Sequence, residues 1–452
     1  MSLFKRKLDQ REDATAIRQE EITYQQEDPY LNQLVDHYKN RLLAEANLDQ
    51  LTSLNHRDMR LAIERFISKF MSEEKVILTR HKKDQLLTKL IDESVGYGPL
   101  ESLLYDETIT EILINGPNQV YIEKDGQLQQ IELKFRNESH LRHIIDRVVA
   151  PLGRRIDESS PMVDARLADG SRVNAVIPPI SLSGTLISIR KFRKEPFKIE
   201  ELIEFKSMSE EMALFLRAII QAKTNVIISG GTGSGKTTLL NALATAIPFG
   251  ERVITIEDSA ELKLDRANVV GMEARPANVE GRGEITIRQL VKNALRMRPD
   301  RIIVGEVRGS EAFDMLQAMN TGHEGSLTTV HANSPRDALG RVEGMVIMAG
   351  MDLPSSVIRE YIVGALDFIV QSERLSDGKR KILSISEIKS DGDGHVEVNE
   401  IFTYKRTGVG ENGAVLGFHT ATGTKPDCLP RLKAFGIEID EAIFDPRGDG
   451  SE

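Results

Sequence analysis

Eight residues in the middle of the chain, Gly230-Gly231-Thr232-Gly233-Ser234-Gly235-Lys236-Thr237, satisfy the pattern G-x-x-x-x-G-K-[ST] at every fixed position. Glycines there let consecutive backbone N–H groups curl around a phosphate, and a helix that starts at the same point adds its dipole. The flanks are what such a loop requires. Val226-Ile227-Ile228-Ser229 reads as a buried strand before it, and Thr238-Leu239-Leu240-Asn241-Ala242-Leu243 opens a helix after it. The spacing predicts ATP held by Gly231, Thr232, Gly233, Ser234, Gly235, Lys236, Thr237 and Thr238. Lys236 is expected to neutralise the outer phosphates, and the Thr237 hydroxyl to take a Mg2+ position.

A phosphate loop alone does not separate a switch from a motor, so strand-end acids matter next. Arg301-Ile302-Ile303-Val304-Gly305-Glu306 is an apolar strand closing on an acid, the form of a Walker B element that holds Mg2+ through water. Read by itself, Glu306 is either that acid or an ordinary surface acid. Ile254-Thr255-Ile256-Glu257-Asp258 is a second strand ending in acids, and Glu257 is the candidate to activate a water. His331 ends a further strand inside Gly322-His323-Glu324-Gly325-Ser326-Leu327-Thr328-Thr329-Val330-His331, and read by itself it is either a contact for a γ-phosphate or an ordinary structural histidine. His323 and His331 do not have the spacing of a metal pair. Arginines complete the list, because phosphoryl transfer spreads negative charge over three oxygens. Arg172, Arg190, Arg296, Arg298, Arg301 and Arg308 are candidates, and most residues of this kind are ion-pair or surface groups.

The elements that position these residues are legible in the periodicity. Residues 1–28 are rich in Gln, Glu, Lys and Arg and read as a charged tail. Within 29–95, Leu31, Leu34, Tyr38 and Leu42, then Met59, Ile63, Phe66 and Phe70, then Leu86, Leu90 and Ile91 recur at helical spacing, predicting a small bundle. Gly96-Tyr97-Gly98-Pro99 punctuates the chain. Residues 96–190 then read as an α+β domain. Its strands are expected at 109–114, 120–123, 128–133, 162–167, 172–177 and 186–190, with one helix near 141–150. Residues 191–207 read as a charged connector. From 208 to 403 strands and helices alternate, as in a parallel α/β sheet, and 404–452 reads as a Gly-rich tail.

Composition bounds the rest. The chain has 452 residues, 40% of them hydrophobic, with 59 basic and 69 acidic side chains and a net charge of −10. That balance argues against a general nucleic-acid binder, although Lys191, Arg193, Lys194 and Lys198 form a local basic cluster. No apolar run approaches the roughly 18 residues that span a bilayer. The first residues, Met1-Ser2-Leu3-Phe4-Lys5-Arg6-Lys7, lack the apolar core of a signal peptide. A cytoplasmic protein is expected. One cysteine, Cys428, excludes an internal disulfide and a four-cysteine zinc module.

The order of these boxes resembles the secretion-ATPase superfamily, which powers type II and type IV secretion, type IV pili and archaella. Gly96-Tyr97-Gly98-Pro99-Leu100-Glu101, Thr110-Glu111-Ile112-Leu113-Ile114-Asn115-Gly116, Asp169-Gly170-Ser171-Arg172-Val173-Asn174-Ala175 and Ile189-Arg190-Lys191-Phe192 are similar to its CpaF/TadA branch, the tight-adherence (Flp) pilus ATPases. The resemblance covers roughly residues 60 to 405. It implies a RecA-like ATPase domain preceded by a PAS-like α+β domain, in a homohexameric ring with ATP between the two domains. It also implies that Arg172 and Arg190 reach the phosphates, that Glu257, Glu306 and His331 are the acidic-box, Walker B and His-box residues, and that inner-membrane platform proteins are partners. The absent zinc module departs from type II secretion members. A conjugation-type secretion ATPase, and more distantly a RecA-like nucleic-acid translocase or a nucleotide-gated scaffold, are the rival readings.

Overall fold

The structure is a computed structural model that describes residues 28–46, 56–94, 96–124, 126–192, 195–277, 281–350, 352–390, 396–410 and 412–448. The expected tail up to residue 27, and Arg193 and Lys194 of the basic cluster, lie outside the described residues. The chain forms two compact units, Met1–Lys191 and Phe192–Glu452.

The first unit begins with helices α1 (Pro29–Glu45), α2 (His56–Glu73) and α3 (Arg80–Ser94). Asp28 starts α1 by accepting the Tyr30 and Leu31 N–H groups at 3.1 and 3.3 Å, which satisfies donors a helix N-terminus cannot pair internally. The apolar stripes meet in one core, where Tyr38, Phe70, Leu86 and Leu90 are fully buried. Helix α4 (Leu100–Tyr105) and strands β1 (Ile109–Asn115), β2 (Val120–Lys124) and β3 (Gln127–Ile131) follow. Then come α5 (Glu138–Val149), β4 (Met162–Arg166), β5 (Arg172–Val176) and β6 (Leu186–Arg190). The six strands form an antiparallel sheet in the order β3-β2-β1-β6-β5-β4. Alternation decides its faces: Ile112, Ile114, Val173, Ala175, Ile187 and Ile189 point into the core with α5, and the residues between them point away. Arg147 of α5 ties the bundle to this sheet by donating to the carbonyls of Gly96 at 2.6 Å and Glu93 at 2.7 Å.

The second unit opens with α6 (Ile199–Glu204) and α7 (Glu210–Gln221), then β7 (Val226–Gly230), α8 (Lys236–Ala244), β8 (Val253–Glu257) and β9 (Val269–Glu273). It continues through α9 (Ile287–Ala294), β10 (Arg301–Val304), α10 (Glu311–Asn320), β11 (Leu327–Val330), α11 (Pro335–Met348) and α12 (Ser355–Ala365). A meander of β12 (Phe368–Arg374), β13 (Arg380–Ser390), β14 (Val396–Val409) and β15 (Val415–Ala421) leads to α13 (Leu429–Ala434). The nine strands order as β15-β14-β13-β12-β7-β11-β10-β8-β9, with β12 through β9 parallel. Each central strand is apolar on both faces because helices cover both. Val226 and Ile228 of β7 join the core under α7 and α8, whereas Ile227 joins the one under α10, α11 and α12.

Two expectations change. The 191–207 connector contains α6, and Ile199 and Leu202 at helical spacing bury into the core beside α7. The 404–452 tail is structured as well. Strand β14 runs on to Val409, β15 pairs along it, and Phe444 is buried with its ring 5.5 Å from that of Phe215. Strand β9 was not among the expected strands; it is a half-exposed edge with weak periodicity. Among the described residues no helix is long and apolar enough to cross a membrane.

Candidate functional site

The C-terminal ends of parallel strands converge with helix N-termini, which is where ligands of open α/β sheets bind. Strand β7 delivers Gly230–Gly235 to that end, and α8 begins at Lys236. The loop needs its glycines for specific reasons. A Cβ on Gly230 would lie 2.3 Å from Ser234 Oγ and 2.5 Å from Ser372 O, so no side chain fits between β7 and β12. Gly235, at φ +92°, holds a left-handed turn that leads directly into the helix. Lys236 Nζ donates to the carbonyls of Gly230 and Gly231 at 3.0 Å each, which lays the ammonium over the loop. Thr237 and Thr238 stand half-buried on the first turn of α8. This set fits a polyphosphate: a left-handed loop, a helix N-terminus and a lysine laid over the loop carbonyls.

Strand β10 brings the second element. Glu306 follows its end, with 23% of its side chain exposed, and accepts from Arg308 Nε at 2.8 Å. Arg308 also reaches Asp258 at 3.6 Å, so one guanidinium bridges the acids after β10 and β8. A partly exposed pair of this kind contributes only about 0–1 kcal/mol. Glu306 can therefore exchange the guanidinium for a cation at little cost. Glu306 and the Thr237 hydroxyl are oxygen donors of the kind Mg2+ takes alongside substrate phosphates.

Glu257 ends β8 and is 4% exposed. Its carboxylate accepts from the Glu261 and Leu262 N–H groups at 2.8 and 3.0 Å, and its chain packs so closely on Gly305 that a Cβ there would lie 2.9 Å from Glu257 Cγ. Burial raises its pKa to about 7, against the two N–H donors that lower it. A carboxyl half-ionised near neutrality is tuned for proton transfer.

His331 follows β11 directly and is half-buried, while His323 precedes the same strand at the opposite end of the sheet. His323 Nδ1 is buried and has no hydrogen-bond partner among the described residues. The next residue after His331, Ala332, accepts from Gln371 Nε2 of β12 at 3.3 Å.

The arginine candidates divide. Arg301 is fully buried, pairs with Glu251 and donates to Ile220 O at 2.6 Å at the start of β10, so it is a structural residue. Arg296 and Arg298 are exposed in the turn before β10. Arg172 and Arg190 belong to the first unit, directly opposite each other on β5 and β6, with Arg166 of β4 opposite Arg172. Their outward face thus carries a row of guanidinium groups. Sequence reasoning missed the Arg308 bridge and Ser372, whose hydroxyl stands 3.0 Å from that of Ser234. Arg308 was already a candidate arginine beside the Glu306 strand, but its pairing with Asp258 across to β8 is not readable from spacing.

A family model described as Type II/IV secretion system protein matches residues 93–408. Rv3659c of Mycobacterium tuberculosis (strain ATCC 25618 / H37Rv), provisionally named a conjugal transfer protein, is 36% identical over 336 residues, 73% of this chain and 94% of that one. The type IV secretion system protein VirB11 of Bartonella henselae is 33% identical over 346 residues, 67% of this chain and 96% of that one. Among solved structures, the VirB11 ATPase of the Brucella suis type IV secretion system is 30% identical, covering 64% of this chain and 95% of that one at a TM-score of 0.35. With a phosphate loop and strand-end acids inside the matched residues, the chain belongs to the type II/IV secretion system protein family.

Proposed function

We propose that this chain is a Mg2+-dependent ATP hydrolase that drives a secretion or pilus machine in the cell envelope. One observation carries the reading: Lys236, Glu257, Glu306 and His331 all stand at the C-terminal ends of neighbouring parallel strands. In this reading the loop N–H groups and Lys236 hold the phosphates, and Glu257 accepts a proton from the attacking water. His331 faces the γ-phosphate, and Thr237 and Glu306 hold Mg2+, which supplies charge neutralisation at the phosphate oxygens. Arg172 and Arg190 are assigned to the same phosphates, as the family resemblance implies. The working form is a homohexamer at the inner membrane, attached through platform proteins. A steady-state ATPase assay with and without Mg2+ tests the chemistry. A parent protein without turnover, or a Lys236→Ala variant with full turnover, removes the proposal.

Two kinds of work fit the family. The boxes at Gly96–Glu101, Thr110–Gly116 and Asp169–Ala175 favour assembly of a Flp-type pilus. The names of Rv3659c and VirB11 favour type IV secretion or conjugal transfer. Cells carrying Lys236→Ala separate them: loss of surface pili with transfer intact supports the first, and loss of transfer with pili intact supports the second.

A further inference from the structure

The N–H groups of a phosphate loop face inward toward the anion, so its carbonyls face outward and need partners of their own. Lys236 takes those of Gly230 and Gly231, the helix takes that of Gly235, and the β12–β13 hairpin takes that of Gly233. Strand β12 runs beside the P-loop strand, with Gln371 next to Ser229 and Ser372 next to Gly230. It continues past the loop to Arg374, turns, and returns at Arg380, which stands directly opposite Arg374. Arg380 Nε donates to the Gly233 carbonyl at 3.0 Å. A Cβ on Gly235 would lie 3.3 Å from Arg380 Cδ, and one on Gly233 would lie 3.8 Å from Arg374 Nη1. Ser372 adds a contact from the same strand, its hydroxyl 3.0 Å from Ser234 Oγ and donating to Ser229 O at 3.1 Å. The hairpin therefore meets the loop at Gly233, Ser234 and Gly235. Gly233, at φ +70°, is the member of the three whose carbonyl the guanidinium holds.

We infer that Arg380 is a positioning residue for nucleotide binding. By holding the Gly233 carbonyl outward it keeps the loop N–H groups aimed at the phosphates, and Arg374 brings a second positive charge to the same loop. A loop that must order itself on binding gives up affinity, whereas one held in place does not. The inference rests on the reading of Gly230–Thr237 as an ATP site.

The full chain carrying Arg380→Ala or Arg380→Lys tests it through three measurements: fluorescent-ATP affinity, the split of KM and kcat, and hydrogen exchange of the 231–235 amides without nucleotide. Loss of a charged hydrogen bond predicts an about ten-fold weaker affinity and higher KM for Arg380→Ala, with kcat within about three-fold. The loop amides should exchange about ten-fold faster before any nucleotide is added. Arg380→Lys should recover part of both effects, because an ammonium reaches the carbonyl without the planar fork. Unchanged exchange and KM overturn the inference. So does a fall in kcat at constant KM, which would put the guanidinium on the reacting atoms, or faster exchange spread across the whole sheet, which would make it a general stabiliser. If the parent binds no ATP while exchange rises as expected, the functional reading fails and the loop-holding role stands.

Discussion

At the N-terminal ends of the parallel strands, Arg301 is fully buried against Glu251 and the Ile220 carbonyl, and Arg431 ties Glu324 and Asp367 to the Ala222 carbonyl. At the C-terminal ends of the same strands, Arg308 leaves 61% of its side chain exposed between two acids, and Lys236 leans on two main-chain oxygens. Arginine, glutamate and histidine occur at both ends. One end is closed by charged partners from within the fold, and the other by contacts that an incoming polyphosphate and cation can replace. Residue type did not assign the role. The direction of the strand did.

The comparison can be broken or sharpened experimentally. The largest effect is expected for Lys236→Ala, which should lower ATP turnover by at least about 100-fold, the scale of a lost transition-state charge contact, with the melting temperature unchanged. Glu257→Gln follows, with kcat down about 10²-fold, the lower end of the range for a positioned base. Its pH dependence adds a sign. A folded pKa raised to about 7 gives stability that is fully present below about pH 4.5 and is lost as pH rises through 7. Turnover of the parent should rise over that same upper range, and the Gln variant should lose both dependences.

Arg301→Ala inverts the pattern. Stripping the partner from Glu251 should destabilise the fold by about 3–5 kcal/mol, read by denaturant titration, while the protein that remains folded in the cold keeps its kcat. The smallest contrast is between the histidines. His331→Ala should lower kcat by roughly ten-fold, the loss of one hydrogen bond of about 1.4 kcal/mol at the phosphate, and His323→Ala should leave kcat unaltered. Equal effects from the two would dissolve the distinction between the ends.

Much of this was legible beforehand, for physical reasons that differ by element. The phosphate loop is local, so its spacing and flanks identify it, and the central strands are apolar throughout because helices cover both faces. Arg301 could not be told from Arg308 because its burial depends on Glu251, 50 positions away. The region after residue 404 looked like a tail because its glycines mask the strand pattern; Gly417 sits in β15 where a Cβ would lie 2.4 Å from Lys405 O. Arg380 carried no signal toward Gly233, since only the pairing of β12 with β7 brings them together. The raised pKa of Glu257 needed the packing against Gly305, and burial likewise pushes Asp92, in the other unit, up to about 7.

The position of β7 between β11 and β12 has a consequence for biosynthesis. Asn225, at the start of the strand that leads to the phosphate loop, bonds its side chain to Ala365, 140 positions later, and Gly233 is bonded to a residue 147 positions later. At about 5–20 residues per second, a ribosome needs roughly 7–30 s to supply those partners. A nascent chain thus displays a strand that ends up fully buried long before the neighbours that enclose it. ATP affinity should appear in stalled chains only after the β12–β13 hairpin has emerged.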